Sequence, residues 1–371
     1  MSAAASASAP RTLQFDALTG LRFVAAFHVV LFHYWAGLLH DKVPWINAIV
    51  SSGYVAVGLF YVLSGFILTV VYGSSDLDRA GRRRFWGARV ARVYPAYFLA
   101  ALLWIPVVLL KHPPAIDFLA LGPTLLGVQA WVPSLATAWN FPAWSVSVEA
   151  FFYLVFPFVL PYVRRLTFSQ TWRFLAMTYA LGLVAPALHL ALNTDPASGQ
   201  LWSTDVWTSV IKFNPLIRFP EFLAGMGVGQ LFRLRGSRPV PSWYALAAAL
   251  TLLAILTRSR RIEYLFIHNG TFVPLFGVLV FGLATAGGKL GALLSQRHVV
   301  VLGEASYSLY ILQAPVRDLA LYLTSLCGIT NPWLNFQKPL MVVMLLVPVS
   351  VLVLYRVEMP TRHWLRKVLA S

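Results

Sequence analysis

Apolar stretches of about twenty residues recur along nearly the whole of this 371-residue chain. Each stretch can cross a hydrocarbon core of roughly 30 Å as a helix that rises about 1.5 Å per residue. Only 11% of the residues are charged, far below the roughly 25% of soluble domains, so no separate soluble domain is expected. We therefore predict an all-α integral membrane protein, a bundle of about ten transmembrane helices at approximately residues 18–39, 53–72, 90–111, 144–163, 173–193, 216–233, 242–257, 272–288, 299–323 and 338–357.

The charge distribution predicts the orientation of this bundle. The formal net charge of +16 does not indicate a nucleic-acid partner, because the basic residues lie in short connections and not on one amphipathic face. Most of them fall in alternate connections, which places the N- and C-termini in the cytoplasm. Arg258, Arg260 and Arg261, between the seventh and eighth helices, are the exception to this pattern.

The ends and the long connections are predicted to differ in role. Residues 1–15 are small and polar and are predicted to be a disordered cytoplasmic tail, and residues 359–371 are predicted to be a cytoplasmic C-terminal tail. The outer connections at residues 112–143 and 194–215 are too long for simple turns, and long loops are often functional.

Two smaller features exclude other classes of site. Gly225, Gly227 and Gly229 lie in an apolar helix without a preceding strand, so they lack the context of a dinucleotide-binding motif and indicate close helix packing. Cys327 is the single cysteine, so the chain has no intramolecular disulfide and too few thiolates for a zinc or iron–sulfur site.

The first helix carries two ionisable residues on one face. Arg22 lies near the predicted inner face, and His33 lies eleven residues later, about 16 Å further outward. Ionisable groups inside a membrane helix are costly, so both are candidates for function, with helix–helix pairing as the structural alternative. His28 points roughly 140° away from His33, which indicates a packed or hydrogen-bonded histidine. Their spacing of five residues also disfavours a metal site, because two ligands on one helix need separations of three or four.

Three further polar residues are predicted at the depth of His33. Glu149 is expected on the fourth helix, about 8 Å below the outer face of the membrane, and Glu221 and Gln313 reach a similar depth on the sixth and ninth helices. Carboxylate, amide and imidazole groups at one level suit acid–base chemistry and contacts with a substrate. For Glu221, an ion pair with Arg218 one turn away is an equally supported alternative.

A cationic inner mouth is predicted at the start of the third helix. Arg89 and Arg92 are three residues apart on one helix face, so their guanidinium groups can bind phosphate together with Arg22. The preceding arginines are interpreted as signals of topology: Arg79, Arg82, Arg83 and Arg84.

Five segments follow one another along the chain: LTGLRFVAAFHVVLFHY, GYVAVGLFYVLSGFILT, FWGARVARVYPAY, FPAWSVSVEAFFYLVFP and EASYSLYILQAPV. In this order they resemble the type 3 membrane acyltransferases, the family of bacterial O-antigen acetylases and related sugar O-acyltransferases. Arg22 and His33 match the family's pattern of an arginine, ten residues and a histidine. The resemblance covers nearly the whole chain.

The resemblance implies a transmembrane acyltransferase domain over residues 16–358 in the bacterial inner membrane. It implies an acyl-coenzyme A, such as acetyl-coenzyme A, as donor substrate without a permanently bound cofactor, and a glycan or glycolipid hydroxyl as acceptor. His33 would be the general base or a covalent acyl carrier, with Glu149 orienting its imidazole. The three inner arginines would bind the donor.

Three positions depart from the family's pattern. Thr19 and Ala88 replace a common aspartate and the first arginine, and Gln313 replaces a frequent histidine. The last departure leads us to expect that His33 is the only buried imidazole at the depth of the site.

Aromatic residues before Glu149 are candidates for binding the acceptor. Trp139 and Trp144 lie in or near the first long outer connection, and aromatic faces offer large, rigid contact surfaces. An interfacial aromatic belt explains their positions equally well.

Two other classes of protein remain open at this stage. A transporter or flippase also places Arg, Glu and His inside the membrane, but no inverted repeat with matching interrupted helices is visible. A membrane scaffold, whose polar residues only join helices, does not explain why the acidic and imidazole groups share one level.

Overall fold

The computed structural model describes residues 15–36, 43–111, 115–193, 195, 197–236, 238, 240–285, 288–328 and 339–370. Within these residues the chain forms helices and no strand, which confirms the all-α fold. The predicted N-terminal tail lies outside the described residues except for Phe15. The helices of the first half are α1 (Asp16–Trp35), α2 (Pro44–Val50), α3 (Ala56–Tyr72), α4 (Arg79–Lys111), α5 (Ala115–Leu125), α6 (Trp144–Val163) and α7 (Phe168–Leu192).

The second half of the chain is divided into more and shorter helices. They are α8 (Val206–Phe213), α9 (Pro215–Arg235), α10 (Trp243–Leu256), α11 (Tyr264–His268), α12 (Val273–Thr285), α13 (Gly288–Leu294), α14 (Arg297–Glu304), α15 (Ser306–Ile311), α16 (Gln313–Leu326), α17 (Pro339–Val353) and α18 (Met359–Ala370). Short 3₁₀ turns lie at Gly53–Val55, Gln129–Trp131, Phe141–Ala143 and Ser259–Arg261, and a π-helical turn lies at Leu354–Glu358.

The described part of the chain contains seven helices that are long and apolar enough to cross a membrane, so this is a multi-pass membrane protein: Asp16–Trp35, Pro44–Tyr72, Arg79–Leu109, Phe141–Val163, Phe168–Leu192, Tyr264–Thr285 and Pro339–Leu365. Every one of the ten predicted segments has a helical counterpart. Three counterparts do not meet that criterion. Helix α9 is not apolar enough, α10 is short, and the ninth predicted helix is broken into α14, α15 and α16.

Helix α4 begins at Arg79, well before the predicted start at residue 90. The carboxylate of Asp78 accepts a hydrogen bond of 2.6 Å from the backbone N–H of Gly81, as a capping residue does. Hydropathy detects only the membrane-spanning part of such a helix, because its arginine-rich turns are helical without being apolar. As a result, Arg89 and Arg92 lie inside the helix and not at its start, which corrects our prediction.

The ninth predicted helix is interrupted between α15 and α16, shortly before Pro315. Pro315 has no backbone N–H, so the carbonyl oxygen of Ile311 lacks its helical donor. The side-chain amide of Asn140 takes this place, donating from Nδ2 to Ile311 O at 3.1 Å. This bond fixes the connection before α6 against the break between α15 and α16.

The predicted C-terminal tail is helical from Met359 to Ala370. Helix α17 passes through the π-helical turn at Leu354–Glu358 directly into α18. Helix α18 packs against α4. The segment is polar, so hydropathy gave no sign of a helix there.

Glycines bring α3 and α9 into close contact. A Cβ atom on Gly65 would lie 2.2 Å from the carbonyl oxygen of Phe222, and one on Gly225 would lie 2.2 Å from that of Val62. On the other side of α9, a Cβ atom on Gly227 would meet Leu175 of α7 at 2.7 Å. The predicted packing role of the glycine cluster is therefore confirmed.

Candidate active site

A cavity of about 270 Å³ lies among α1, α3, α4, α6 and α15. Its lining on α3 extends from Val57 to Val71, about 21 Å along the helix axis, so the cavity is long and narrow. The wall is partly apolar, and its polar and aromatic hydroxyl residues are Thr19, Arg22, Tyr61, Ser64, Arg89, Arg92, Ser145, Glu149, Tyr153, Ser306, Tyr307 and Tyr310. Such a shape suits an extended ligand that carries both polar and apolar groups.

Three arginines meet at the inner end of the cavity. Arg22 of α1 and Arg89 and Arg92 of α4 all line it, so the structure brings together the three residues of the predicted inner mouth. None of them forms an ion pair with a carboxylate in the described part of the chain. The Nε atom of Arg89 is buried and has no hydrogen-bond partner there. Buried donors are normally satisfied, so this end of the cavity is suited to an anionic group.

Glu149 lines the same cavity and is held by two hydroxyl groups. Ser64 of α3 donates to Oε1 of Glu149 at 3.2 Å, and Tyr153, one turn further along α6, also donates to Oε1. The guanidinium group of Arg89 lies 5.9 Å from the centre of the Tyr153 ring. The carboxylate is therefore fixed in place near the cationic end of the cavity.

A hydrogen-bonded pair closes the outer end of the cavity. Ser145 Oγ donates to the hydroxyl oxygen of Tyr310 at 2.8 Å, and that hydroxyl donates to the carbonyl oxygen of Pro142 at 3.2 Å. The hydroxyl of Tyr61 donates to the backbone carbonyl oxygen of Ser145 at 3.4 Å. The end wall is thus made of ordered side chains from α3, α6 and α15.

His33 lies beyond this end wall and does not line the cavity. Its Nδ1 atom is 2.8 Å from Oε1 of Gln313, and its ring packs edge-on against Phe141 with centroids 4.6 Å apart. The Nε2 atom of Gln313 donates to the carbonyl oxygen of Tyr310 at 2.8 Å, so Oε1 is the atom turned to the imidazole. Oε1 can only accept, so Nδ1 of His33 carries the proton and Nε2 keeps its lone pair. This is the tautomer that a general base requires.

The partner of this imidazole differs from our prediction. Gln313 orients His33, whereas Glu149 is bound by Ser64 and Tyr153 and makes no described hydrogen bond to His33. The estimate of depth along separate helices does not determine which residues meet, because it ignores how the helices rotate against one another. His28 donates from Nε2 to the carbonyl oxygen of Ile49 at 2.7 Å, as expected for a hydrogen-bonded structural histidine.

Glu221 belongs to a separate buried cluster. Its Oε2 atom forms an ion pair of 2.9 Å with Arg218, and its Oε1 atom accepts a hydrogen bond of 2.9 Å from the backbone N–H of Gly270. The structure therefore shows the ion pair that we considered as the alternative for Glu221. Neither Glu221 nor Arg218 lines the cavity, and the described polar contacts of Glu221 are with Arg218 and Gly270.

A second buried imidazole lies beside this ion pair. His268 is 4% exposed, and its ring stacks near Tyr54 and Trp144 with centroids 5.7 and 6.0 Å away. Sequence analysis missed it because it precedes the predicted eighth helix, and it does not line the cavity. Nη1 of Arg218 lies 2.8 Å from Nδ1 of His268 and also donates to the carbonyl oxygen of His268 and to Oδ1 of Asn269. The imidazole is thus part of the buried Arg218 cluster.

The two predicted acceptor-binding tryptophans are both buried. Trp139 is 2% exposed and donates from Nε1 to the carbonyl oxygen of Ala101 on α4 at 3.2 Å. Trp144 is 7% exposed and packs against Phe213 and His268. Neither lines the cavity, so both act as packing residues between helices, and the predicted contact of Trp139 with an acceptor lacks an exposed surface.

We expect Trp139→Ala to act on stability and not on the choice of acceptor. Removal of a buried tryptophan costs about 3–5 kcal/mol through lost packing. Thermal unfolding of the purified variant should show a clear loss, while the ratio of acceptor transfer to donor hydrolysis stays that of the parent. A normal melting temperature with a reduced ratio would restore the role in acceptor binding.

Comparison with known proteins agrees with these observations. The family profile described as "Acyltransferase domain" matches residues 15–357. The chain is 29% identical over 331 residues to the acyltransferase MdmB of Streptomyces mycarofaciens, an alignment that covers 81% of this chain and 79% of MdmB. No solved structure shows a significant match.

Two further relatives are longer proteins. The chain is 24% identical over 327 residues to the O-acetyltransferase OatA of Staphylococcus aureus, covering 81% of this chain and 50% of OatA. It is 24% identical over 346 residues to the putative peptidoglycan O-acetyltransferase YrhL of Bacillus subtilis, covering 85% of this chain and 50% of YrhL. The alignments thus span about half the length of OatA and YrhL.

Proposed function

Because this chain belongs to the acyltransferase domain family, it is a membrane O-acyltransferase, and we propose that it transfers an acyl group, acetyl in the first instance, from acyl-coenzyme A to a hydroxyl of a glycan or glycolipid. The name of YrhL, which refers to peptidoglycan, supports a glycan acceptor. The excess of basic residues in the inner connections supports a location in the bacterial inner membrane with the donor site facing the cytoplasm.

The observation that carries the proposal for the donor is the long cavity with three arginines at its inner end, none of which forms an ion pair within the described residues. Guanidinium groups bind phosphate through paired hydrogen bonds, so the phosphates of coenzyme A would bind Arg22, Arg89 and Arg92. The pantetheine arm is an extended chain with amide groups. It fits along the cavity, where the fixed carboxylate of Glu149 can accept a hydrogen bond from an amide N–H.

His33 is the proposed general base. As the acceptor oxygen attacks the thioester carbonyl carbon, Nε2 of His33 takes the proton of the hydroxyl group. A C–O bond forms, the C–S bond breaks, and the proton passes to the departing thiolate. Gln313 is a positioning residue, because it holds Nδ1 protonated and keeps the ring in one orientation.

Incubation of the purified protein with radiolabelled acetyl-coenzyme A and a membrane glycan extract tests the function. An enzyme releases free coenzyme A and moves the label to the acceptor. A transporter or flippase would leave the thioester intact. Mass spectrometry of surface glycans from cells with and without the gene then identifies the acceptor.

We expect Arg89→Ala and Arg92→Ala each to raise the apparent KM for acetyl-coenzyme A by about 10-fold or more, because a hydrogen bond to a charged group contributes about 1.5–3 kcal/mol. Donor titration of the purified variants measures this. Arg84→Ala is the matched control, since Arg84 lies on the same helix, is exposed and does not line the cavity. If Arg89→Ala and Arg92→Ala both had the parental KM for acetyl-coenzyme A, these arginines would not bind the donor.

A further inference from the structure

The ring of Tyr310 forms the outer end wall of the donor cavity. Tyr310 is 7% exposed, and its hydroxyl is held between Ser145 and Pro142 by bonds of 2.8 and 3.2 Å. Phe60 packs edge-on against the ring with centroids 6.1 Å apart. The cavity therefore ends on an ordered aromatic ring.

His33 lies on the other side of the same layer. Phe141, next to Pro142 in the chain, contacts the imidazole, and Gln313 joins the two sides because it binds His33 and the backbone carbonyl of Tyr310. A donor in the cavity and the proposed base are thus separated by one layer of side chains. An acyl group has to pass this layer before the acceptor oxygen can attack it.

Side-chain rotation is the simplest way for the layer to open. The backbone around Tyr310 is anchored, because Gln313 binds its carbonyl oxygen and Asn140 binds that of Ile311. The hydroxyl of Tyr310, in contrast, is held by only two neutral hydrogen bonds, each of which contributes about 0.5–1.5 kcal/mol. The ring can therefore swing while the backbone stays in place.

We propose that Tyr310 selects the acyl group of the donor by size: its ring closes the donor cavity towards His33, and only a short acyl group such as acetyl fits past it. This inference rests on the proposed function, because it assumes an acyl-coenzyme A in the cavity. The opening is at most the space of one aromatic ring. Each additional methylene has to displace the packed side chains around that ring, at a cost that rises with its volume.

The test measures turnover of acetyl-, butyryl- and hexanoyl-coenzyme A by the purified protein with the membrane glycan extract as acceptor, recorded as release of free coenzyme A. The parent should prefer acetyl over hexanoyl by at least about 10-fold, because single methylenes are discriminated by about 10-fold or more. Tyr310→Ala and the less drastic Tyr310→Leu should lose most of this preference. Tyr310→Phe should keep it, because the ring remains although both hydrogen bonds are lost.

Tyr307→Ala is the matched control. Tyr307 lines the same cavity on the same helix, about 4.5 Å nearer the inner end, so its removal enlarges the cavity without opening the end wall. The Tyr307→Ala variant should keep the parental preference for acetyl-coenzyme A, whatever its turnover rate. Loss of the preference in Tyr310→Ala and Tyr310→Leu, but not in Tyr310→Phe or Tyr307→Ala, supports the proposal.

Three results overturn it and can be told apart. If the parent releases coenzyme A from acetyl-coenzyme A but Tyr310→Leu keeps the parental preference, Tyr310 does not select the acyl group and the proposed function is unaffected. If the parent releases no coenzyme A from any of the three donors, the proposed function itself fails. A parent that uses hexanoyl- as well as acetyl-coenzyme A also contradicts the proposal.

Discussion

Replacement of His33 by alanine should lower acyl transfer by about 100-fold to 10,000-fold, the usual effect of removing a general base, and by more if the imidazole carries the acyl group. The physical reason is the free lone pair on Nε2, which exists because Gln313 accepts the proton of Nδ1. Turnover of acetyl-coenzyme A with acceptor, measured on purified protein at normal expression, gives the effect. Donor binding should stay close to that of the parent, since His33 does not line the cavity.

His28→Ala is the control for this prediction. His28 lies on the same helix but binds the carbonyl oxygen of Ile49 and not a residue of the site. When His28 is lost, that oxygen still accepts a hydrogen bond of 2.7 Å from the hydroxyl of Ser52. This variant should keep most of its activity. Gln313→Ala should lower kcat while changing the donor KM little, because the lost amide orients His33 and does not bind the donor. Retained turnover in His33→Ala would remove the proposed mechanism whatever the other variants show.

Arg218→Ala should destabilise the protein by about 3–5 kcal/mol, the cost of removing one partner of a buried ion pair. The side chain of Arg218 is fully buried, and that of its partner Glu221 is 3% exposed. Arg218 also donates to the carbonyl oxygen of His268 and to the side chain of Asn269. Its loss leaves a carboxylate and two acceptors buried without their donor. The melting temperature of the purified variant measures the effect.

Arg317→Ala is a matched control within the same chain. Arg317 pairs with Asp318 at the same N–O distance of 2.9 Å, but its side chain is 35% exposed, while that of Asp318 is 9% exposed. Water already reaches the guanidinium group of Arg317, so its loss should cost less than the loss of the fully buried Arg218. Equal melting temperatures for the two variants would contradict this difference.

Most of the helices could be predicted because hydropathy and helical period are local properties. Two features of the fold that hydropathy does not show share one cause. The start of α4 and the whole of α18 are helical but polar, so a search for apolar stretches does not see them. The break before α16 depends on a proline whose effect is completed by Asn140, which lies far away in the chain.

The candidate site could be predicted only in part. The three arginines of the cavity were predicted together because they share a depth and because Arg89 and Arg92 share a helix face, and both properties follow from counting along single helices. The ion pair of Glu221 with Arg218 was one of two predicted alternatives, whereas Gln313 and not Glu149 is the partner of His33. Which of several polar residues at one depth meet depends on the rotation and packing of neighbouring helices, and His268 lies in the short helix α11, outside every predicted helix.

By itself, the sequence determined that this is an all-α membrane protein with Arg22 and His33 on one helix face, because segment length and period are encoded within each segment. Tertiary structure decided the chemistry of the imidazoles. His33 meets an amide oxygen 280 residues away, so its neutral ring carries the proton on Nδ1, whereas His268 meets the guanidinium group of Arg218. The physical reason is that a tautomer is set by the hydrogen bond at the other ring nitrogen, and packing of distant helices supplies that partner.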